Sequence, residues 1–591
     1  MTFPTTVHRD VPIARVIWRL IRNQPVRYTI SLVAWTTIWT MPILIGFIAA
    51  AFFDSLTGQA PGWNLTTVLT ALWAWVVARI VIVFLAMRLH SSLLFRTNAS
   101  MKRNMLAWIY SLPGAHPVDE TPGEVVSRFR DDVEHTVEAY DFTVDLVGSV
   151  VSAVVSFLIL LNIDALITLM VITPTVIIVA ITSRMGTRIR RYRTAARDST
   201  EAITGFLGES FGSVQSVKVA GAESTMLGHL DEINDVRRRM MVRDRTFTAG
   251  LESVFHNTVS IGTGLILIMA VGSLGTAGTG LTIGEFALFV FLLRGVTDSA
   301  YFVGIFLARL KQAGVSAERI VDLMRGATWQ AITANTGLDD EVPVSRVVVP
   351  LPVPNAPLIS IRGLTYSYPT SNSGIVDVDL DMAQGDFVVV TGRIGSGKTT
   401  LLRTILGLLE AQRGSIAWKG TPIHEPSSFM VPPRSAYTPQ VPRLFSMTLR
   451  ENLLLGSAAD DEELMDAIVT ATMERDLEMM PDGLDTLVGP RGVRLSGGQI
   501  QRSAAARMLV RSPELLVFDD LSSALDVDTE ATLWDRLFAA NAGVTALVVS
   551  HRRPALMRAD QVIVMEAGRV ADRGNAKELL DRSATFRDLW D

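Results

Sequence analysis

A glycine-rich segment in the C-terminal half of the chain has the residue spacing of a phosphate-binding loop. In GDFVVVTGRIGSGKTTLLRTILGLL, Gly392, Gly397, Lys398 and Thr399 follow an apolar run that predicts a strand and precede a run that predicts a helix. Backbone N–H groups around such glycines close on phosphate oxygens, and the N-terminus of the helix adds positive potential. We predict that Lys398 reaches the β- and γ-phosphates of a nucleotide and that Thr399 ligates Mg²⁺. The residues predicted to bind nucleotide in this loop are Gly392, Gly395, Ser396, Gly397, Lys398, Thr399 and Thr400.

Two later motifs would complete such a site. The apolar run at 515–518 ends on adjacent acids, Asp519 and Asp520, which repel each other and are expected only where negative charge is needed. We predict that Asp519 holds Mg²⁺ through water and that Asp520 occupies the position of a general base. Upstream, LSGGQ at 495–499 begins a predicted helix. Its small residues leave the backbone N–H groups accessible, so this helix N-terminus is a second predicted phosphate-binding position. Its predicted nucleotide contacts are Ser496, Gly497, Gly498 and Gln499.

Composition divides the 591-residue chain into an apolar and a polar half. The mean hydropathy is +0.32. Apolar stretches long enough to cross a bilayer, for which about 20 residues are needed, occur up to Leu307 and not after Pro357. The net charge of −5 gives no general case for nucleic-acid binding. The absence of cysteine excludes disulfides, thiolate zinc sites and iron–sulfur clusters.

The apolar half predicts six transmembrane helices whose loops differ in charge. DSLTGQAPGWN and GSLGTAGTGLT have no Lys or Arg, whereas SRMGTRIRRYRTAARD on the other side is strongly basic. Positive charge on one side predicts that both termini and the long loops are cytoplasmic. The segments 89–141 and 184–247 should extend the spans into the cytosol as helices, and VPIARVIWRLIRNQPVRY should form an interfacial helix. The predicted spans are 28–53, 65–88, 142–162, 164–183, 248–273 and 281–307.

The sequence pattern changes after a proline-rich segment. EVPVSRVVVPLPVPNAP has repeated prolines and no helical pattern, and we predict a linker at 326–356. From Leu358, short Val/Ile/Leu strands alternate with Gly-rich turns and amphipathic helices. The predicted fold class is therefore an α-helical membrane domain of six transmembrane helices at 1–325 and a C-terminal α/β P-loop NTPase domain at 357–591.

Together the P-loop, LSGGQ, the acid pair, SALD and VVSH resemble the ATPase domain of ABC transporters. The six spans and cytoplasmic loops resemble the exporter-type half-transporter of that family, and the resemblance extends from about Arg15 to Trp590. It implies ATP and Mg²⁺ as ligands and a second half-transporter as partner. Each ATP would lie between the P-loop of one chain and the LSGGQ segment of the other. ATP binding would then close the ATPase domains and lever the spans outward, and hydrolysis would reset them.

The resemblance also implies roles for residues whose own patterns are weak. Tyr368 in YSYP would stack on adenine, Gln440 in AYTPQ would contact Mg²⁺ or water, and His551 in LVVSHRR would contact the γ-phosphate. Taken alone, Tyr368 could be a core aromatic, Gln440 a solvated loop residue and His551 a structural histidine. The implied catalytic set is Asp520, His551 and Gln440, the implied metal set is Thr399, Gln440 and Asp519, and Asp526 would cross to the partner's site.

Two positions depart from the family pattern. Pro490 stands in LVGPRGVRLSGG where the family usually has Glu, which alters a loop contact between the two halves of the transporter. Asp520 stands where most members have Glu, whose side chain is longer by one methylene. Members with Asp here are often one half of a heterodimer, so the resemblance favours a heterodimer in which this chain's P-loop site turns ATP over slowly. Alternatively, a backbone shift or an extra water compensates and the site is active as built.

Charges inside the predicted spans are candidates for a substrate path. Arg79 lies near the middle of the second span, and Arg294 and Asp298 are spaced i and i+4 in the sixth. In one interpretation, Arg294 and Asp298 form an ion pair with each other and Arg79 is a buried arginine that fixes helix packing. In the other, the three residues line a polar path.

The predicted function is ATP-driven transport across the cell membrane, with export of an amphiphilic small molecule, a lipid or a peptide as the first interpretation. The predicted partners are a second half-transporter, the lipid bilayer and the unknown substrate, without nucleic acid. An importer with the exporter fold and an ATP-dependent regulator that transports nothing are the alternatives. Retention of Gln440, His551 and an intact LSGGQ disfavours the regulator.

Overall fold

Two compact units make up the chain in the computed structural model. Contacts between residues group Met1–Tyr110 with Glu120–Asp340 in the first unit, and Ser111–Asp119 with Glu341–Asp591 in the second. The structure describes residues 11–57, 64–112, 114, 121–170, 173, 186–273, 282–335, 353–369, 371, 373–490, 492–521, 526–540 and 543–590.

The first unit contains helices and no strand in its described residues. Two of the helices begin with a capping box, in which Thr121 and Thr282 each exchange hydrogen bonds with a glutamate three residues later. A π-helical turn at Arg128–Asp132 joins the fourth helix to the fifth. The helices are α1 (Ile13–Asn23), α2 (Pro25–Leu56), α3 (Leu65–Ser111), α4 (Pro122–Ser127), α5 (Val133–Ile163), α6 (Gly186–Gly212), α7 (Val214–Ala220), α8 (Glu223–Ser273), α9 (Ile283–Leu323) and α10 (Trp329–Ile332).

Four helices in the described part of the chain are long and apolar enough to cross a membrane. They are Pro25–Leu56, Leu65–Ser111, Pro122–Ile163 and Ile283–Leu323. They contain the first, second, third and almost all of the sixth predicted span. Most of the fourth predicted span, 164–183, lies outside the described residues. The fifth, 248–273, forms the C-terminal part of α8, which continues without a break from the predicted cytosolic extension.

Helices α2, α5 and α9 pack together along their apolar length. The indole Nε1 of Trp39 on α2 donates a 2.8 Å hydrogen bond to Asp145 Oδ1 on α5. Gly148 on α5 leaves room for the indole, since a Cβ there would lie 2.6 Å from Trp39 Cδ1. Near the end of α2, the Asp54 carboxylate accepts a 2.9 Å hydrogen bond from the backbone N–H of Gly284 at the start of α9. The three helices are therefore joined by polar contacts as well as apolar ones.

Ten strands form two sheets in the described residues of the second unit. They are β1 (Ile359–Ser367), β2 (Gly374–Met382), β3 (Phe387–Gly392), β4 (Arg413–Trp418), β5 (Thr421–Ile423), β6 (Ser435–Thr438), β7 (Leu515–Asp519), β8 (Thr545–Val549), β9 (Gln561–Glu566) and β10 (Arg569–Gly574). The first sheet is antiparallel with the order β2-β1-β4-β5. The second has the order β10-β9-β3-β8-β7-β6, in which only β10 is antiparallel to its neighbour.

The second sheet is buried on both faces, and this geometry places the predicted site. Phe387 and Val389 of β3 pack in one apolar core, whereas the valines that alternate with them pack in the other. A pleated strand imposes this alternation, and burial of both faces explains the continuous apolar run. Because β3 and β7 run parallel in one sheet, their carboxyl ends at Gly392 and Asp519 reach the same edge.

The helices of the second unit surround the sheets, and several carry capping boxes at their N-termini. Thr448, Asp460 and Ser496 each cap a helix in this way. A short 3₁₀ turn occurs at Gly483–Asp485. The helices are α11 (Lys398–Ile405), α12 (Pro426–Phe429), α13 (Leu449–Leu454), α14 (Asp461–Thr470), α15 (Glu474–Glu478), α16 (Gly497–Leu509), α17 (Val527–Ala540), α18 (Arg553–Arg558), α19 (Ala576–Arg582) and α20 (Ala584–Trp590).

Candidate nucleotide site

The predicted phosphate loop runs from the end of β3 to the start of α11, as its glycine spacing requires. Gly392 and Gly397 adopt φ of 148° and 100°, in the region that favours glycine. A Cβ on Gly392 would lie 2.3 Å from the carbonyl oxygen of Met565. The loop bounds a cavity of about 250 Å³, and its lining residues are Tyr368, Ser373, Gly374, Gly395, Gly397, Lys398, Thr399 and Thr400. Ser396, which was also predicted to bind nucleotide, is a buried residue of this loop.

Lys398 is folded back onto its own loop. Its Nζ donates hydrogen bonds to the carbonyl oxygens of Gly392 at 2.7 Å and Arg393 at 2.9 Å. Burial lowers the pKa of Lys398, and the nearby carboxylates of Asp520 and Asp519 oppose that shift. A phosphate in the cavity would compete with two neutral carbonyl groups for the ammonium, and charge-assisted hydrogen bonds are the stronger kind.

Asp519 lies beside the first turn of α11, as the parallel sheet predicts. Thr399 Oγ1 donates a 2.9 Å hydrogen bond to Asp519 Oδ1, and the Tyr437 hydroxyl donates a 3.2 Å bond to Oδ2. Burial raises the pKa of Asp519, and these two hydrogen bonds oppose the shift. Burial also raises the pKa of Tyr437 to about 12, and the charge of Asp519 acts in the same direction.

A hydroxyl and a carboxylate oxygen are donors that Mg²⁺ prefers, so Thr399 and Asp519 fit the predicted ion. When bound, Mg²⁺ supplies positive charge against the phosphate oxygens of the nucleotide. Elsewhere in the described part of the chain, no three His, Cys, Asp or Glu side chains gather into a fuller metal site.

The structure brings Asp520 and Gln440 together. Gln440 Nε2 donates a 3.1 Å hydrogen bond to Asp520 Oδ2, and Gln501 Nε2 holds the Gln440 carbonyl oxygen at 2.6 Å. Asp520 is buried and adopts a left-handed φ of 55°. Its backbone N–H donates a 3.1 Å bond to the Val549 carbonyl oxygen on β8. The bond to Val549 therefore fixes the backbone of Asp520, and the bond from Gln440 fixes its carboxylate.

His551 follows β8, which lies between β3 and β7, and its imidazole is exposed. The next residue, Arg552, forms an ion pair of 3.1 Å with Glu530, whose side chain is only 1% exposed. Glu530 also accepts a 3.2 Å hydrogen bond from Trp534 Nε1. Burial raises the pKa of Glu530, and the charge of Arg552 opposes the shift. Sequence reasoning missed this pair, because a glutamate in an amphipathic helix gives no sign of its burial.

Tyr368 lies at the side of the cavity, where a base could contact its ring. Its hydroxyl is 3.4 Å from Thr400 Oγ1, and its ring meets the ring of Tyr366 edge to face at 5.0 Å between centroids. The partly exposed ring and its place in the cavity lining favour the predicted adenine contact over a core position.

The LSGGQ segment opens α16 but does not line the described cavity around Lys398. Ser496 Oγ accepts a hydrogen bond from the Gln499 backbone N–H, and the Gln499 side chain accepts one from the Ser496 N–H at 2.8 Å. Ser496 and Gly497 are exposed, and Gly498 is partly exposed in the same turn. Asp526 is also exposed, and its carboxylate caps α17 through Thr529.

The charges predicted to lie inside the spans are not among the lining residues of a large cavity in the first unit. Arg294 Nε is 3.8 Å from Asp298 Oδ2, with both side chains well exposed, and the Arg79 guanidinium lies 5.1 Å from the Trp75 ring centroid. A mostly apolar cavity of about 1090 Å³ has a described lining without these three charges. Its lining residues are Met41, Leu44, Phe47, Ile48, Ala50, Ala51, Asp54, Ala71, Ala74, Trp75, Ala78, Ile159, Asn162, Ile163, Glu285 and Leu288.

Comparisons with known proteins match both units. Residues 375–523 match the family model described as ABC transporter, and residues 29–299 match the model described as ABC transporter transmembrane region. The chain is 30% identical to the probable multidrug resistance ABC transporter ATP-binding/permease protein YheI of Bacillus subtilis (strain 168), over 71% of this chain and 69% of that protein. It is 27% identical to the ATP-dependent lipid A-core flippase of Bordetella avium (strain 197N), over 83% of this chain and 81% of that protein.

A solved structure has the same fold. A bacterial Atm1-family ABC exporter with ATP bound superposes with a TM-score of 0.73 and 20% sequence identity, covering 95% of this chain and 97% of that chain. The predicted fold class, a helical transmembrane domain fused to a C-terminal α/β ATPase domain, is confirmed.

Proposed function

The chain belongs to the ABC transporter family as an exporter-type half-transporter, and from this premise we propose that it exports an amphiphilic molecule while its own P-loop site hydrolyses ATP slowly. Members of the family bind ATP and couple its hydrolysis to transport across a membrane. The observation that carries the specific proposal is the short carboxylate of Asp520 at the position of the general base, held to Gln440. The shorter side chain of Asp520 should lower the rate of hydrolysis at this chain's P-loop site without affecting ATP binding there.

The residues around the cavity divide into three roles. Lys398 and the loop N–H groups would hold the phosphates, Tyr368 would hold the base, and Thr399 and Asp519 would hold Mg²⁺. Gln440 would respond to Mg²⁺ binding, because its side-chain amide donates a hydrogen bond to Asp520, the residue next to Asp519. His551 would contact the γ-phosphate from the end of β8, where its imidazole is exposed. Except for Tyr368, which follows β1 of the antiparallel sheet, these residues lie at the carboxyl ends of strands of the parallel sheet.

A second half-transporter would complete the site. Exporter-type half-transporters generally dimerise, and Ser496 and Gly497 are exposed at the N-terminus of α16, away from this chain's own cavity. A helix N-terminus with free N–H groups suits the γ-phosphate of an ATP held by the partner's P-loop. The slow site favours a heterodimer, in which the partner's P-loop and this chain's Ser496, Gly497 and Gly498 would form the faster site.

An amphiphile is the proposed cargo because the large cavity between α2, α3, α5 and α9 is mostly apolar with a few polar groups. Asp54, Asn162 and Glu285 supply the polar part of its lining. The relatives named for multidrug resistance and lipid flipping support the same class. The protein is a multi-pass membrane protein. We propose the cell membrane, cytoplasmic termini, and domains at 1–325 and 357–591 joined by a linker at 326–356.

Transport in inside-out vesicles tests the proposed direction. Vesicles that contain the chain and its partner should accumulate a fluorescent amphiphile when ATP is added outside, and vesicles with the Lys398→Ala variant should not. Accumulation only in right-side-out vesicles loaded with ATP would make the protein an importer. ATP hydrolysis without movement of any amphiphile, lipid or peptide tested would support the regulator.

A further inference from the structure

The carboxylate of Asp519 is held at both oxygens by different elements. Thr399 of α11 binds Oδ1 at 2.9 Å, and Tyr437 of β6 binds Oδ2 at 3.2 Å. The Thr399 hydroxyl is also the predicted magnesium ligand, and it can bind the ion through an oxygen lone pair while its proton is still donated to Asp519. The Tyr437 hydroxyl belongs to no predicted nucleotide or metal set, and it holds the other oxygen of the carboxylate.

The pairing of β6 with β7 places the Tyr437 hydroxyl beside Asp519. In the parallel pairing of β6 with β7, Tyr437 lies opposite Val517, two residues before Asp519 on the same face. The Tyr437 ring packs against the apolar core that contains Val517, which fixes its direction. Its hydroxyl therefore extends along the sheet towards the carboxyl end, where Asp519 lies.

Arg403 determines which way the hydroxyl proton points. Arg403 is four residues after Thr399 on α11, so the two side chains share one face of that helix. The positive charge of the nearby Arg403 guanidinium opposes the rise in the pKa of the Tyr437 hydroxyl. Because a guanidinium can only donate hydrogen bonds, the hydroxyl oxygen can only accept one from Arg403, and its single proton is left for the 3.2 Å bond to Asp519. With both bonds made, the three side chains would form a directed chain from Arg403 through Tyr437 to Asp519.

We propose that Tyr437 is a positioning residue for the magnesium site, which fixes the Asp519 carboxylate, and that Arg403 sets the direction of its hydrogen bond. Outer partners of this kind orient metal-binding carboxylates and typically contribute 10–100-fold in metal affinity or activity. The inference rests on the assignment of Asp519 to Mg²⁺ under the proposed function. It adds two residues to which the sequence motifs assign no role, although both lie within segments quoted for other residues.

Mn²⁺ binding, followed by the electron paramagnetic resonance signal of the free ion, tests the proposal without hydrolysis. The full-length chain in its extracted dimeric assembly is titrated with Mn²⁺ in the presence of a non-hydrolysable ATP analogue. Tyr437→Phe keeps the ring and removes the hydroxyl, and it should weaken Mn²⁺ binding about 10-fold. Affinity for the analogue in EDTA should stay unchanged, because Tyr437 is not among the lining residues of the described nucleotide cavity. Tyr110→Phe, at an exposed tyrosine of α3, is the matched control.

Arg403→Met provides a second variant that leaves the tyrosine and the core intact. It should weaken Mn²⁺ binding by less than Tyr437→Phe does, because the hydroxyl can still reach Asp519 but is free to turn. Unchanged Mn²⁺ binding in both variants overturns the inference. Equal loss of Mn²⁺ binding and of analogue binding in EDTA also overturns it, since that pattern indicates a damaged fold.

Asp519→Asn separates this inference from the assignment on which it rests. If Asp519→Asn binds Mn²⁺ like the wild type, the assignment of Asp519 fails and the inference fails with it. If Asp519→Asn loses Mn²⁺ while Tyr437→Phe and Arg403→Met retain it, the assignment holds and only the positioning role is wrong.

Discussion

Replacing Asp520 by Glu should accelerate ATP hydrolysis at this chain's own P-loop site. Glu carries the carboxylate about 1 Å further from the backbone, roughly one C–C bond projected along the side chain. A misplacement of that size can cost on the order of 10²-fold in rate. At about 1.4 kcal/mol for each factor of ten, Asp520→Glu could regain about 2.8 kcal/mol of activation free energy at this site.

The backbone at position 520 gives the same variant a cost in stability. Asp520 adopts a φ of 55°, which short polar side chains tolerate better than long ones. Glu should therefore lower the free energy of unfolding by about 1 kcal/mol, within the strain expected for a residue in this region. The backbone bond from Asp520 to Val549 at 3.1 Å also opposes a shift that would bring the aspartate closer to the phosphates. Faster hydrolysis together with a small loss of stability is the expected combination.

The assay compares phosphate release with labelled nucleotide retained on this chain after rapid desalting of the native assembly. The wild type should retain nucleotide, and Asp520→Glu should retain less and release phosphate faster. Asp581→Glu, an exposed acid on α19, adds the same methylene away from the site and should change neither quantity. If Asp520→Glu is no faster and Asp520→Asn stops hydrolysis at this site, Asp520 is a working base and the reasoning is refuted.

Three further predictions test the other assigned residues. Lys398→Ala should abolish nucleotide binding and transport, because a desolvated positive charge at the phosphates contributes several kcal/mol. The control Lys577→Ala, at an exposed lysine, should change neither property. ATP-driven transport in Lys398→Ala would contradict the P-loop assignment. Gly497→Asp in one chain of a mixed dimer should impair the partner's P-loop site by placing a carboxylate near phosphate; loss confined to the mutated chain's own site would contradict the head-to-tail arrangement. Replacing Arg294 and Asp298 together by leucine should leave folding and transport nearly normal if they only pair, and change the range of transported molecules if they line a path.

The local sequence pattern correctly predicted the strand before residues 393–397 and the helix after them. Glycine spacing between a strand and a helix fixes the loop, and a parallel sheet brings Gly392 and Asp519 to one edge. The contacts of Tyr437 could not be predicted, because they depend on the register between β6 and β7, which lie far apart in the sequence. By contrast, α8 continues unbroken from its polar part into its apolar part, in agreement with the prediction that helices extend the spans beyond the membrane. For Tyr437, the missing information was the pairing between distant segments.

The packing of Trp39 constrains how the membrane helices can move during a transport cycle. Sliding α2 along α5 would withdraw the indole from the space beside Gly148 and break its bond to Asp145. The same motion would pull Asp54 away from the N–H of Gly284 on α9. Breaking the partly buried bond between Trp39 and Asp145 within the membrane leaves polar groups that lipid cannot satisfy. Helices α2, α5 and α9 should therefore tilt as one rigid body, with the alternation between inward and outward states occurring at the borders of this body.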